Sequence, residues 1–266
     1  MVLGSKQSEA MERRSNHRQK EILEELRRSG GSMRIHALAE RLQVTEETVR
    51  RNLRRLADDG IVERVHGGVR LIRETGEADF NARFRENPEA KQRIARHVAA
   101  MLPHEASLFL DIGSTTAHIA DALRDHRRLV VVTNSVYVAF RLATRNENRV
   151  FMAGGMLRPH DGGAFGSDAM TFATNFKTDF AVLSSAGITP KGFMLFDLDE
   201  ARFSRLIMQQ ATTCIMAADS SKFGREAPVD IGHPSQVDCL VCDTPPPAEI
   251  ETAARTSWGT EIQIAK

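Results

Sequence analysis

Residues 43–56 read Gln43-Val44-Thr45-Glu46-Glu47-Thr48-Val49-Arg50-Arg51-Asn52-Leu53-Arg54-Arg55-Leu56. Thr45 is a good helix N-cap, because its hydroxyl can accept a backbone N–H of the first turn. Glu46 and Glu47 follow it, where the helix dipole favours negative charge. Val49, Leu53 and Leu56 recur at i, i+4 and i+7 and make one apolar stripe. Arg50, Arg51, Arg54 and Arg55 fall largely off that stripe. The spacing predicts a helix over 45–58 with a core-facing side and an arginine-rich side.

On the amino-terminal side, residues 1–12 read as a disordered leader. Residues 13–28 carry Ile22, Leu23 and Leu26 among charges and read as a first helix. Ser29-Gly30-Gly31-Ser32 reads as a turn, and residues 34–42 as a second helix. On the other side, Asp58-Asp59-Gly60 ends the arginine-bearing helix. Residues 61–65 alternate like a strand, His66-Gly67-Gly68 makes a tight turn, and Val69-Arg70-Leu71 returns. Three helices and a basic hairpin over residues 13–73 predict a winged helix-turn-helix, which places its recognition helix in the major groove of DNA. The charge distribution agrees. The net charge is only +1, yet residues 1–73 hold 16 Lys and Arg against 11 Asp and Glu, while the remainder holds 20 against 24. A basic head on an acidic body points to a head that binds a polyanion.

A chain of 266 residues has room for a second, larger domain. Residues 74–90 are polar, contain Gly76 and Pro88, and read as a linker. Over residues 91–266 the pattern becomes strand–helix alternation. Short apolar strands are expected at 108–110, 129–132, 150–153, 180–183, 214–217 and 239–241. Helices are expected at 91–102, 115–123, 136–143, 168–176 and 199–211. This alternation predicts an α/β domain with a mostly parallel sheet and helices on its faces. The cysteines, Cys214, Cys239 and Cys242, are few and odd in number, which fits a reducing cytoplasm and no disulfide framework. Cys239 and Cys242 lie in an apolar run with no second pair, so a structural role is expected. No metal, cofactor, signal peptide or membrane span is expected, since the longest apolar runs are strand-sized.

Ligands of such sheets bind outside the carboxyl ends of the strands, and the polar residues of this domain collect there. After the first strand comes Asp111-Ile112-Gly113-Ser114-Thr115-Thr116. Its glycine, hydroxyls and helix start suit a phosphate. Thr133-Asn134-Ser135 follows the second strand. Gly154-Gly155-Met156-Leu157-Arg158 follows the third, and Arg158 offers an anion a forked contact. Asp219-Ser220-Ser221-Lys222-Phe223-Gly224 follows a later strand and offers a lysine. Four loops at one edge favour a small phosphorylated ligand.

These motifs, taken in order, resemble the DeoR-type transcriptional regulators from about Arg13 onward. The amino-terminal signature is similar to Thr48-Val49-Arg50-Arg51-Asn52-Leu53, followed by Gly60 and Arg64-Val65-His66-Gly67-Gly68. The carboxyl-terminal signature is similar to the four loops just quoted. Leu157-Arg158-Pro159-His160-Asp161-Gly162-Gly163 and Phe196-Asp197 before Glu200 resemble the subgroup of glycerol-3-phosphate-responsive repressors. The resemblance implies a second domain related to sugar-phosphate isomerases such as ribose-5-phosphate isomerase, sensing a phosphorylated metabolite and no longer turning it over. It implies a homodimer or homotetramer that represses a catabolic operon and leaves its operator when the metabolite binds. The expected DNA-contacting residues are Arg34, Thr45, Thr48, Arg50, Arg51, Asn52, Arg54 and Arg55, with Arg64, His66, Gly67 and Gly68 in the wing. The expected effector-binding residues are Asp111, Gly113, Ser114, Thr115, Thr116, Asn134, Ser135, Gly155, Arg158, Asp197 and Lys222. Two positions depart from the family pattern, which has aspartate at Asn52 and lysine at Ser204.

The alternative is an active isomerase with a fused DNA-binding head. It needs a carboxylate base near a bound carbonyl, and Asp111, Asp197, Asp199, Glu200 and Asp219 are the candidates. Their competing roles are capping, pairing and the binding of ligand hydroxyls.

Overall fold

Thr45 opens the arginine-bearing helix. Its hydroxyl accepts the Thr48 backbone N–H at 3.3 Å, and Glu46 and Glu47 occupy the first turn. The computed structural model describes residues 17–29, 32–58, 61–65, 67–71 and 80–266. The chain divides into two units, residues 1–75 and 76–266. The first holds α1 (His17–Arg28), β1 (Ser32–Arg34), α2 (Ile35–Arg41), α3 (Glu46–Asp58), β2 (Val62–Val65) and β3 (Gly68–Leu71). Gln43 takes a left-handed conformation, φ 52°, in the turn between α2 and α3. Ile22, Leu26, Leu38, Val49, Leu53 and Leu56 then meet in one core, closed from below by Val62 and Val69.

The expected hairpin is a three-stranded antiparallel sheet of order β1-β3-β2. Residues 32–34, read as a turn and a helix start, form its outer strand, with Met33 opposite Val69 and Arg34 opposite Gly68. A Cβ at Gly68 would lie 2.7 Å from the Met33 carbonyl oxygen, so the close approach requires glycine. The readings at residues 1–16, Gly30, Gly31, Asp59, Gly60, His66 and 72–79 lie outside the described residues.

The second unit includes residues read as linker. α4 (Phe80–Arg85) precedes α5 (Pro88–Met101). Phe80 and Phe84, four residues apart, stack at 5.8 Å, and Phe84 lies 4.3 Å from the His118 ring. Two aromatic rings outweigh the polar composition of this stretch, so residues 80–90 belong to the sensor-side fold.

Seven parallel strands form the sheet: β4 (Ser107–Leu110), β5 (Val130–Thr133), β6 (Arg149–Met152), β7 (Thr178–Leu183), β10 (Ala211–Ala217), β12 (Cys239–Cys242) and β13 (Glu261–Ile264). Their order is β13-β12-β10-β7-β4-β5-β6. Alternation within each strand supplies both faces. Leu108, Leu110, Val131 and Val182 join Ile94 and Val98 of α5 on one side. Phe109, Val132, Ala181 and Leu183 join Phe203 and Ile207 on the other. The helices between the strands are α6 (Ser114–Ala122), α7 (Val136–Leu142), α8 (Ser167–Ala173), α9 (Leu198–Gln209) and α10 (Ala248–Ala253). A small antiparallel sheet of β8 (Gly187–Thr189), β9 (Gly192–Leu195) and β11 (Val229–Asp230) adds to this frame. All three cysteines are buried with free thiols, and burial pushes each up to about 12. Among the described residues, no helix is long and apolar enough to cross a membrane.

The strand order has a consequence for binding. From β4 the chain winds outward through β5 to β6, then returns to β7 on the other side of β4 and winds through β10 to β13. The order reverses between β4 and β7, and open α/β sheets bind ligands in the crevice outside such a switch point.

Candidate functional site

On α3 the exposed side chains include Thr45, Arg50, Arg51, Arg54 and Arg55, with Thr48 partly exposed. Arg50 is paired with Glu46 at 2.7 Å. Arg51, Arg54 and Arg55 are the arginines best placed for an external anion, in three positions on one helix. Asn52 departs from expectation. It is 4% exposed, and its amide donates to the Thr48 carbonyl at 2.8 Å. It falls three residues after Val49, on the inward stripe with Leu53 and Leu56, and so faces the core and not DNA. Arg34 is exposed at the end of β1, Arg64 is exposed on β2, and Gly67 turns the wing at φ 73°.

The switch point of the second unit collects the effector candidates. Gly113 sits after β4 with φ 155°, and a Cβ there would lie 2.2 Å from the Ser184 hydroxyl at the end of β7. Only glycine lets the two strand ends approach so closely. Ser114, Thr115 and Thr116 form the first turn of α6, where backbone N–H groups have no intrahelical partner. Asn134 and Ser135 follow β5. Ser135 caps α7 by accepting the Val138 N–H at 3.4 Å, while Asn134 Oδ1 accepts the Ile112 N–H at 3.1 Å. The Asn134 amide nitrogen is buried, makes no well-formed hydrogen bond among the described residues, and lies close enough to the Asp111 carboxylate to favour its charged form. The loop 154–165 folds back along this edge, with Ser135 bridged to Gly163 and the Ala164 N–H bonded to the Asn134 carbonyl at 2.8 Å. Gly155 is exposed on that loop at φ 129°.

Asp111 is buried beside this cradle. Its oxygens accept the Ile112 N–H at 2.8 Å and the Ser204 hydroxyl at 2.6 Å. Ser204 thus gives Asp111 a hydrogen bond without a counter-charge. Burial pushes Asp111 up to about 6, although the Ser204 and Ile112 bonds oppose it. The folded value lies above the ordinary carboxylate value, so folding favours the protonated acid. The resulting penalty is absent below about pH 4, grows as pH rises through 6, and stays constant above. Asp111→Asn is therefore expected to raise the unfolding free energy at pH 7.5, and with it the denaturation midpoint, by at most about 3 kcal/mol, with the gap closing near pH 4. A midpoint below that of the unsubstituted protein at pH 7.5 contradicts this.

Arg158 does not stand as an uncommitted anion receptor. Its guanidinium bonds Asp161 and reaches Glu200 at 2.9 Å and Asp197 at 3.4 Å, with the Phe165 ring 4.2 Å away. Burial works against its charge, but the bonds to Asp161 and Glu200 prevail and raise its pKa. The arrangement gathers three carboxylates on one cation, which suits hydroxyl groups better than a second anion. Lys222 lies elsewhere, buried at the end of β10 in a turn capped by Asp219. Asp219 also faces Lys91, a fully buried lysine that the sequence analysis did not single out. Lys91 falls at i, i+3, i+4 and i+7 with Ile94, Ala95 and Val98, and that periodicity was its signal.

Each acid considered as an isomerase base has a structural task. Asp111 bonds Ser204, and Glu200 pairs with Arg158. Asp197 caps α9, Asp199 pairs with Arg202 at 3.0 Å, and Asp219 caps the Lys222 turn.

Comparison with known proteins agrees with both halves. Residues 18–75 match the DeoR-like helix-turn-helix domain, and residues 86–244 match the DeoR C terminal sensor domain. The glycerol-3-phosphate regulon repressor of Escherichia coli (strain K12) is 37% identical over 227 residues, 85% of this chain and 90% of its own. The HTH-type transcriptional repressor CsqR of the same organism is 35% identical over 228 residues, 85% of this chain and 87% of its own. A solved D-ribose-5-phosphate isomerase in complex with phospho-erythronic acid is 16% identical, covering 51% of this chain and 54% of its own at a TM-score of 0.39. The chain belongs to the DeoR family of transcriptional regulators, with the helix-turn-helix at its amino-terminal side and the sensor domain following it.

Proposed function

We propose that the protein represses a carbon-catabolism operon by binding operator DNA, and that a small phosphorylated metabolite at the switch point releases it. Glycerol 3-phosphate is the first candidate, because the relative quoted above is the repressor of the glycerol-3-phosphate regulon; other sugar phosphates come next. α3 and the wing meet the DNA, through Arg51, Arg54 and Arg55 first. The observation that carries the effector reading is the first turn of α6 at the switch point, whose backbone N–H groups have no intrahelical partner. Beside it the buried Asn134 amide has only a poorly formed bond to the Asp111 carboxylate, and a ligand oxygen gives that donor a better acceptor. The phosphate sits between the N–H groups of Ser114, Thr115 and Thr116 and the Lys222 ammonium. β4 and β10 flank β7, so their ends lie about 10 Å apart at ordinary strand spacing, a span suited to a phosphate on a three-carbon chain. The hydroxyl end faces Asp111 and the carboxylates held by Arg158. Arg158 itself acts by holding Asp161, Asp197 and Glu200.

The catalytic alternative is disfavoured because each candidate base is already engaged and the relatives quoted are repressors. A homodimer or homotetramer in the cytoplasm fits this role, and the free cysteines fit a reducing compartment.

Thermal unfolding in the presence of phosphorylated metabolites tests the effector. At one hundred times its dissociation constant a ligand adds about 2.7 kcal/mol to the native state. Glycerol 3-phosphate is expected to raise the midpoint by about 5–10 °C in a domain of this size, and glycerol to leave it unchanged. No shift with glycerol 3-phosphate or any sugar phosphate refutes the assignment.

A further inference from the structure

α4 touches two effector-bearing elements directly and reaches a third through the start of α5. At its start, the Phe80 N–H donates to the His160 carbonyl at 3.4 Å, in the loop that carries Arg158 and Asp161. Near its end, the Phe84 ring stacks on His118 of α6, whose Nε2 is 3.1 Å from the Phe84 carbonyl oxygen. At its carboxyl end, Lys91 Nζ donates to the carbonyl of Arg83 and, at 2.8 Å, to that of Glu86. The same ammonium lies 4.0 Å from Asp219 Oδ2. Asn87, held at φ 48°, donates its amide to Asp219 Oδ1 at 3.0 Å. Asp219 Oδ1 also accepts the Ser221 N–H at 3.1 Å, the bond that caps the turn carrying Lys222. One carboxylate therefore serves both the lysine loop and the α4–α5 junction.

This is a costly way to hold a helix. Burial lowers Lys91 to about 8 against the pull of Asp219, and an apolar side chain of similar volume often packs as well as a buried ion pair. What the pair adds is directional dependence between two segments. In sequence, α4 comes next after residues 72–79, through which the chain passes from the DNA-binding unit.

We propose that α4 carries effector occupancy to the DNA-binding unit, with Lys91, Asn87 and Asp219 as the latch that couples it to the Lys222 loop. An anion on Lys222 competes with Asp219 for that ammonium. Asp219 then redistributes its bonds toward Asn87 and Lys91, and α4 shifts against its supports. The ligand acts only by its different affinity for the two arrangements. This inference rests on the effector reading above.

The test compares the full chain with Asn87→Gly and Lys91→Met. Glycine keeps the left-handed backbone at 87 while deleting the amide. Binding of a labelled fragment of the protein's own promoter region is followed by anisotropy, with and without sn-glycerol 3-phosphate, whose own binding is measured by calorimetry. The unsubstituted protein is expected to lose DNA affinity about tenfold or more on adding the metabolite, a coupling within the usual range. Both variants are expected to bind metabolite and free DNA within about threefold of it, and to show under about threefold release. If Lys91→Met does not fold, Asn87→Gly decides. Full release by a folded variant overturns the latch alone. An unsubstituted protein that binds neither sn-glycerol 3-phosphate nor any sugar phosphate overturns the effector reading and the latch with it.

Discussion

Gly113→Ala is expected to lower stability by about 2–5 kcal/mol and to abolish the response to effector. Its Cβ would stand 2.2 Å from the Ser184 hydroxyl and 3.1 Å from the Thr116 hydroxyl. Overpacking of this kind costs about 1–3 kcal/mol. A non-glycine residue at φ 155° adds backbone strain of similar size. In a unit of this length the midpoint falls by roughly 5–15 °C. Relief requires the Ser184 and Thr116 hydroxyls to turn away or β4 and β7 to part, and either change disturbs the crevice proposed to hold the ligand. Gly154→Ala is the control, since a Cβ there meets nothing within 4 Å. A Gly113→Ala protein that melts with the control and still responds to effector contradicts this account of the switch point.

The second large effect lies on α3. Arg51→Ala combined with Arg54→Ala is expected to weaken operator binding by about 100-fold or more, taking about 1–3 kcal/mol for each arginine removed from the DNA interface. Both side chains are exposed, so the unfolding midpoint should change little. The salt dependence distinguishes their roles. An arginine that neutralises a phosphate takes about 0.9 off the slope of log affinity on log salt when it is deleted. Deleting one that reads a base leaves the slope and relaxes sequence preference. Arg50→Ala should cost less, because Arg50 already pairs with Glu46. Operator binding by the double variant within about threefold of the unsubstituted protein would rule out this helix face.

Legibility in the sequence followed the range of the interactions. The inward stripe of α3 and the doubly buried strands are local periodicities, and both were readable. β1 is three residues long, and its partner β3 lies more than thirty residues on, so no local pattern announced it. α4 was hidden by its polar neighbours, although Phe80 and Phe84 were its signal. β8, β9, β11 and β13 are two to four residues each and depend on tertiary pairing. The four polar loops at the strand ends were readable because parallel sheets place polar residues there. Their ion pairs were not: Arg158 meets Glu200 from 42 residues away. Asn52 was misjudged by residue type and Lys91 was passed over, although their helical positions already placed both on buried faces.

Release of DNA by metabolite is the central claim, and anisotropy of labelled promoter DNA measures it directly. With protein and salt fixed near half-saturation, sn-glycerol 3-phosphate is titrated in. The anisotropy should fall toward that of free DNA, following the metabolite's calorimetric binding curve, and glycerol should leave it unchanged. An anisotropy that stays constant while the metabolite demonstrably binds would contradict the claim.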